Sequence, residues 1–125
     1  MTITLTPQES EEYFFNALCN GLAYVTNYGL GLDYEEKEYT EARGKLTNPC
    51  YEEALMQMLR DGGRLTMVDV EGEGDMTRSI CLQDIHERVQ HTPLLHLTNM
   101  IQENDDAETA DVILQQVFFS EIVFG

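Results

Sequence analysis

Between residues 64 and 82 the chain alternates in a way that few folds accommodate. Leu65, Met67 and Val68 to Val70 read as a strand, Glu71 to Asp75 as an acidic, glycine-bearing turn, and Met76 to Leu82 as the returning strand. Successive strand side chains point to opposite faces, so an antiparallel hairpin of this kind needs a second layer over its apolar face. The flanking segments offer that layer, because their apolar residues recur at helical spacing. The expected architecture is α+β: a small, mostly antiparallel sheet centred on a 64–82 hairpin, packed against four or five helices. With 125 residues, 42% of them hydrophobic, residues 1–125 are expected to form a single domain around one core.

The helices announce their ends. Thr6 reads as an N-cap, Pro7 as the first helical residue, and Glu9 as the acid that completes a capping box. Phe14, Phe15, Leu18, Cys19 and Leu22 then form an apolar stripe, with Gly21 as the expected stop. Asn48-Pro49 opens a helix to about Asp61 that buries Ala54, Leu55, Met58 and Leu59 and ends at Gly62-Gly63. Asp84 reads as the cap of a short helix, with Glu87 three residues on. Thr92-Pro93 opens another, with Leu94, Leu97, Met100 and Ile101 inward. The last begins at Asn104 to Asp106 and aligns Ala110, Ile113, Leu114 and Val117.

Other segments are less regular. Ile3 and Leu5 alternate with Thr2 and Thr4, as a short strand would, and the apolar stretch Phe118 to Phe124 is expected to end as a strand. Tyr24 to Tyr34 is rich in β-formers but broken by Gly29 and Gly31, and reads as an irregular extended segment or hairpin. Glu35 to Ala42 fits either a solvated helical turn or a charged edge strand. The pair Glu41–Lys45 favours the helix, whereas Glu35–Glu38 and Glu38–Glu41 oppose it by like-charge repulsion.

Charge narrows the functions. Twenty-three acids against seven bases leave a net charge of −16, and the last 37 residues hold no Lys or Arg. Phosphate backbones and anionic membranes are bound through clustered cations, so neither nucleic acid nor membrane is an expected partner. No apolar run approaches the roughly 20 residues of a membrane span, and the first residues lack the basic and apolar regions of a signal peptide. Acidity of this degree also suits a protein that imitates nucleic acid. Its mass implies about 6,800 Å² of folded surface, hence one net charge per roughly 400 Å², about a quarter of the density of duplex DNA. Imitation therefore requires the acids to crowd one face.

Motifs for chemistry are weighed and set aside. Cys19, Cys50 and Cys81 are odd in number and form no C-x-x-C pair, which suggests buried or half-buried free thiols in a reducing cytoplasm. Asp69 to Asp75 opens like a calcium loop, but the position of the bidentate Glu is Ile80. His86, His91 and His96 recur every five residues, a spacing that puts neighbours on different sides of a helix. Gly29 and Gly31 lack a third glycine at Tyr34, and Ser10, Ser79 and Ser120 stand in no G-x-S-x-G turn. No residue is assigned a catalytic, cofactor-binding or metal-ligating role, and no cofactor is expected.

The expectation is a non-enzymatic, acidic, cytoplasmic protein that acts through protein–protein interaction. Its partner would present a basic or apolar surface, with a second copy of the chain (a homodimer) among the candidates. Two alternatives stand beside it: a nucleic-acid mimic that inhibits a DNA- or RNA-handling protein, and a small hydrolase using carboxylates. The charge also predicts a response to salt. Screening relieves self-repulsion, so the melting temperature should rise between about 20 mM and about 500 mM salt at neutral pH. A flat or falling trend would mean that paired ions outweigh the net repulsion.

Overall fold

The computed structural model describes residues 4–26, 29–69, 77–102 and 107–120, without the side chains of residues 22–26, 69, 94, 101 and 107. Helix α1 (Pro7–Thr26) leads to strand β1 (Leu30–Asp33), then α2 (Glu36–Gly44) and α3 (Tyr51–Arg60). Strands β2 (Leu65–Asp69) and β3 (Arg78–Ile80) follow, then α4 (Leu82–Arg88), a 3-10 turn at Val89–His91, α5 (Leu94–Ile101) and α6 (Ala107–Phe119). The sheet is antiparallel throughout, in the order β1-β2-β3, so one hairpin strand lies at its centre. This is a small α+β domain with a short antiparallel sheet against several helices, as the alternation at 64–82 required. The expected turn at Glu71 to Asp75 lies outside the described residues.

Register follows the alternation. Leu65 pairs with Ile80 and Met67 with Leu32, which puts four apolar side chains on one face. Leu65, Met67 and Ile80 are buried there, while Thr66 and Ser79 pair on the other face, their hydroxyl oxygens 3.3 Å apart. The buried side chains join into one cluster in which α1 and α6 pack most closely.

Several local signals act as expected. Thr6 Oγ1 accepts the Glu9 N–H at 3.1 Å while Glu9 Oε1 accepts the Thr6 N–H at 3.0 Å, a reciprocal capping box. Gly62 ends α3 with φ +97°, and the Gly63 and Gly62 N–H groups donate to the carbonyls of Met58 and Leu59, which closes the helix. Ala110, Ile113, Leu114 and Val117 are all buried on α6.

Elsewhere the structure corrects the expectation. Gly21 does not stop α1, which continues to Thr26 and includes residues 24–26 expected to be extended. A Cβ at Gly21 would lie 2.9 Å from Ala110 Cβ, so its small size serves a close crossing with α6. Residues 4–6 form no strand; the Leu5 N–H donates to Gln90 Oε1 at 3.3 Å. Glu35–Ala42 resolves as helix: Ala42 is fully buried and Tyr39 packs on the core, contacts that outweigh the like-charge repulsion, and α2 adds a sixth α-helix among the described residues. Lys45 does not pair with Glu41; its ammonium bonds Asp61 at 2.9 Å and thereby ties the end of α2 to the end of α3. Cys81 and Leu82 leave the returning strand, because Asp84 Oδ2 accepts the Cys81 N–H at 2.9 Å and starts α4 there; Asp84 is thus inside the helix rather than its cap. Phe118 and Phe119 complete α6 and are helical, and the strand expected at the end of the chain lies outside the described residues.

Candidate functional site

Three tyrosines far apart in sequence meet where β1, α2 and α3 converge. Tyr34 follows β1, Tyr39 lies on α2 and Tyr51 begins α3. Their ring centroids are 5.0 Å apart for Tyr34 and Tyr39, 5.8 Å for Tyr39 and Tyr51, and 6.1 Å for Tyr34 and Tyr51. These are ring-packing distances. The rings are tilted by 37° to 53° to one another, and Tyr34 and Tyr39 are half-buried against the core, so contact with a partner falls mainly to Tyr51. Tyr51 is 37% exposed, one of two large hydrophobic side chains, with Leu95 on α5, that stand open among the described residues. Burial, then a hydrogen bond with Tyr34 and the charges of Tyr34, Tyr39 and Glu52, pushes the Tyr51 phenol well above the usual tyrosine range. It is a neutral hydroxyl at physiological pH.

Carboxylates accompany this cluster in sequence. The segments that carry it, residues 33–53, contain seven acids and three bases. Asp33, Glu35, Glu36, Glu38, Glu41 and Glu53 are exposed and Glu52 is half-buried. Of the cations, Lys45 is engaged by Asp61, and an Arg43 guanidinium nitrogen donates to the Tyr39 hydroxyl at 3.1 Å. The outcome is a strongly acidic stretch of chain that carries an aromatic cluster.

On its other side α3 borders a cleft of about 320 Å³ lined by Phe15, Leu46, Glu53, Met56 and Arg60. Glu53, Met56 and Arg60 recur at three and four along α3, so one helical face turns toward α1. At one end of this boundary Glu11 of α1 accepts hydrogen bonds from Arg60 Nε and His86 Nε2, both at 2.9 Å. Burial raises the Glu11 pKa, but the hydrogen bonds and charges of Arg60 and His86 more than offset it and hold the carboxyl below its ordinary value. A carboxylate so held is a poor general acid near neutral pH.

This network makes a testable contribution to stability. Because the folded pKa of Glu11 is depressed, its stabilisation is present above the unfolded carboxyl pKa and is lost as pH falls through the folded value. Glu11→Gln should cost about 1 kcal/mol at pH 7, and the gap to the wild-type chain should close as the solution is acidified below about pH 4.5. Urea titrations of both proteins across that range provide the measurement. A gap that persists in acid would mean that the loss comes from packing and not from charge.

The remaining sequence candidates stay apart. Cys19 and Cys50 are exposed and Cys81 is half-buried, so Cys19 leaves the apolar stripe in which its spacing placed it. Partial burial, then the charges of Glu52, Cys50 and Glu53, raises its thiol above the ordinary range. His86 binds Glu11, His91 is exposed, and His96 Nδ1 lies 3.2 Å from Thr109 Oγ1, so the three do not converge. Ser10 is buried within α1, Ser79 Oγ accepts from Arg64 Nε at 3.1 Å, and Ser120 follows α6. Among the described residues no three potential metal ligands come together, and no helix is long and apolar enough to cross a membrane. The tyrosine cluster and the Glu11–Arg60–His86 network had no sequence signal, because their members are scattered along the chain. Comparison with protein families, curated proteins and solved structures finds no match to this chain.

Proposed function

We propose that this chain is a non-enzymatic binding protein whose acidic, tyrosine-centred face docks on an arginine-bearing surface of a protein partner. The observation that carries the reading is the packed trio Tyr34, Tyr39 and Tyr51 in a stretch of chain, residues 33–53, that holds seven acids. A guanidinium stacks on an aromatic face while its N–H fork bonds a carboxylate, and this face offers both groups. Tyrosine is also enriched among residues that carry binding energy, since it brings a large rigid area with few rotatable bonds. A second copy of the chain, itself at −16, brings no complementary charge to this face. Lys37, Arg43 and Lys45 stand among the acids, which favours a protein partner over imitation of an unbroken phosphate row. An odd number of cysteines with no C-x-x-C pair supports a reducing, cytoplasmic setting.

The test is capture from lysate by the wild-type chain, by Tyr51→Ala, and by a variant carrying Glu35→Gln, Glu36→Gln and Glu38→Gln. Circular dichroism verifies that each is folded. The expected result is a basic protein retained by the wild type, released as salt rises, and lost from both variants. Capture undiminished by either variant sinks the proposal. Release by added duplex DNA would instead identify a nucleic-acid-binding protein as the partner and favour mimicry.

A further inference from the structure

The boundary between α1 and α3 is antiparallel. Glu11, near the start of α1, bonds Arg60 at the end of α3, and Phe15, one turn later, faces Met56 and Glu53 across the cleft. One more turn along α1 brings Cys19, and the residue just before α3 on the opposite side is Cys50. Eight residues from Glu11 to Cys19 rise about 12 Å, and ten from Arg60 to Cys50 about 15 Å, so the two cysteines arrive at the same end of the cleft. Both are exposed. Their proximity has an electrostatic signature as well: after burial, the charges of Glu52, Cys50 and Glu53 raise the Cys19 thiol above its ordinary range.

We infer that Cys19 and Cys50 form a dithiol site that glutathione disulfide, or a similar small disulfide, oxidises to an intramolecular disulfide across the mouth of the cleft. Cys50 is the N-cap of α3, with extended backbone (φ −77°, ψ 169°) and a carbonyl that accepts the Ala54 N–H at 3.2 Å, so its approach to Cys19 falls to rotation of its side chain. The chemistry balances in two exchanges. One cysteine thiolate attacks a sulfur of the glutathione disulfide, the S–S bond breaks, and a glutathione thiolate leaves and takes up the proton. The second thiolate attacks the protein sulfur of that mixed disulfide and expels the other glutathione. Two protein thiols are oxidised, and one glutathione disulfide is reduced to two glutathiones. Cys81 is the N-cap of α4, the helix whose His86 bonds Glu11 at the opposite end of this boundary, and takes no part.

The experiment treats the dilute wild-type chain with glutathione disulfide at about millimolar concentration, where a neighbouring thiol outcompetes free glutathione. Remaining thiols are trapped by alkylation, followed by intact mass and peptide mapping. The expected product carries no glutathione, is lighter by two hydrogens, links the peptides of Cys19 and Cys50, and is alkylated at Cys81. Cys50→Ser should stop at a glutathione adduct on Cys19, and Cys19→Ser at one on Cys50. Glutathione on both cysteines of one wild-type chain, no reaction at either, a bond to Cys81, or links only between separate chains would each overturn the inference. None of these outcomes depends on the partner-binding face.

Discussion

Phe14→Ala is expected to lose about 3–5 kcal/mol of folding stability, the cost of deleting a fully buried aromatic ring. The Phe14 ring is completely buried on α1 and lies 6.2 Å, centroid to centroid, from the ring of Phe118 on α6, itself 1% exposed. These two rings span the most extensive helix–helix contact among the described residues. A domain of this size has about 5–15 kcal/mol in total, so the variant should be marginally folded or largely unfolded at 37 °C. Urea denaturation followed by circular dichroism gives the number from the midpoint, provided the slope stays constant. Phe14→Leu, which keeps most of the volume, should lose far less. An alanine variant with the wild-type midpoint would remove Phe14 from the core and the α1–α6 contact with it.

Gly21→Ala tests the same contact from the opposite direction. In an exposed helix this change stabilises by about 0.5–1 kcal/mol, because glycine loses more backbone entropy on folding. Here the new methyl would meet Ala110 Cβ at 2.9 Å, Leu114 Cδ1 at 3.0 Å and the Ala110 carbonyl carbon at 3.1 Å. The leucine can rotate; the α6 backbone cannot move without displacing its other packed neighbours. Overpacking of this kind costs about 1–3 kcal/mol, which exceeds the propensity gain, so the variant should melt below the wild type. Adding Ala110→Gly should recover part of the loss, and the double-mutant cycle should show a coupling of about 1 kcal/mol or more. A Gly21→Ala variant that melts above the wild type would mean that the helices have room to separate.

The face proposed for binding shows how far composition reaches. The acidity was plain in the counts, but its arrangement was not. Like-charge spacing within Glu35 to Ala42 left helix and edge strand in competition, and the decision came from Ala42 and Tyr39, which pack on the rest of the fold. Only that packing brings Tyr39 to Tyr34 and Tyr51, and with them a surface that offers aromatic faces and carboxylates together.

What the residues determined by themselves was local. Alternation between Leu65 and Ile80 selected strands, because a period of two gives one apolar face and one polar face. Thr6 with Glu9, and Gly62 with Gly63, set helix ends because the bonds that close those ends run only three to five residues along the chain. The tertiary structure decided everything that depends on distant partners. Gly21 is indistinguishable in sequence from a helix stop, and only α6, nearly ninety residues later, turns its missing side chain into a site of close approach. Cys19 fits an apolar stripe by spacing, yet it is exposed, with Glu52 and Glu53 from the start of α3 acting on its thiol. Glu11 finds Arg60 and His86, 49 and 75 residues away, through the packing of three helices. Local patterns constrain backbone conformation within a few residues, whereas burial and ion pairing are properties of the assembled surface and exist only once the helices have met.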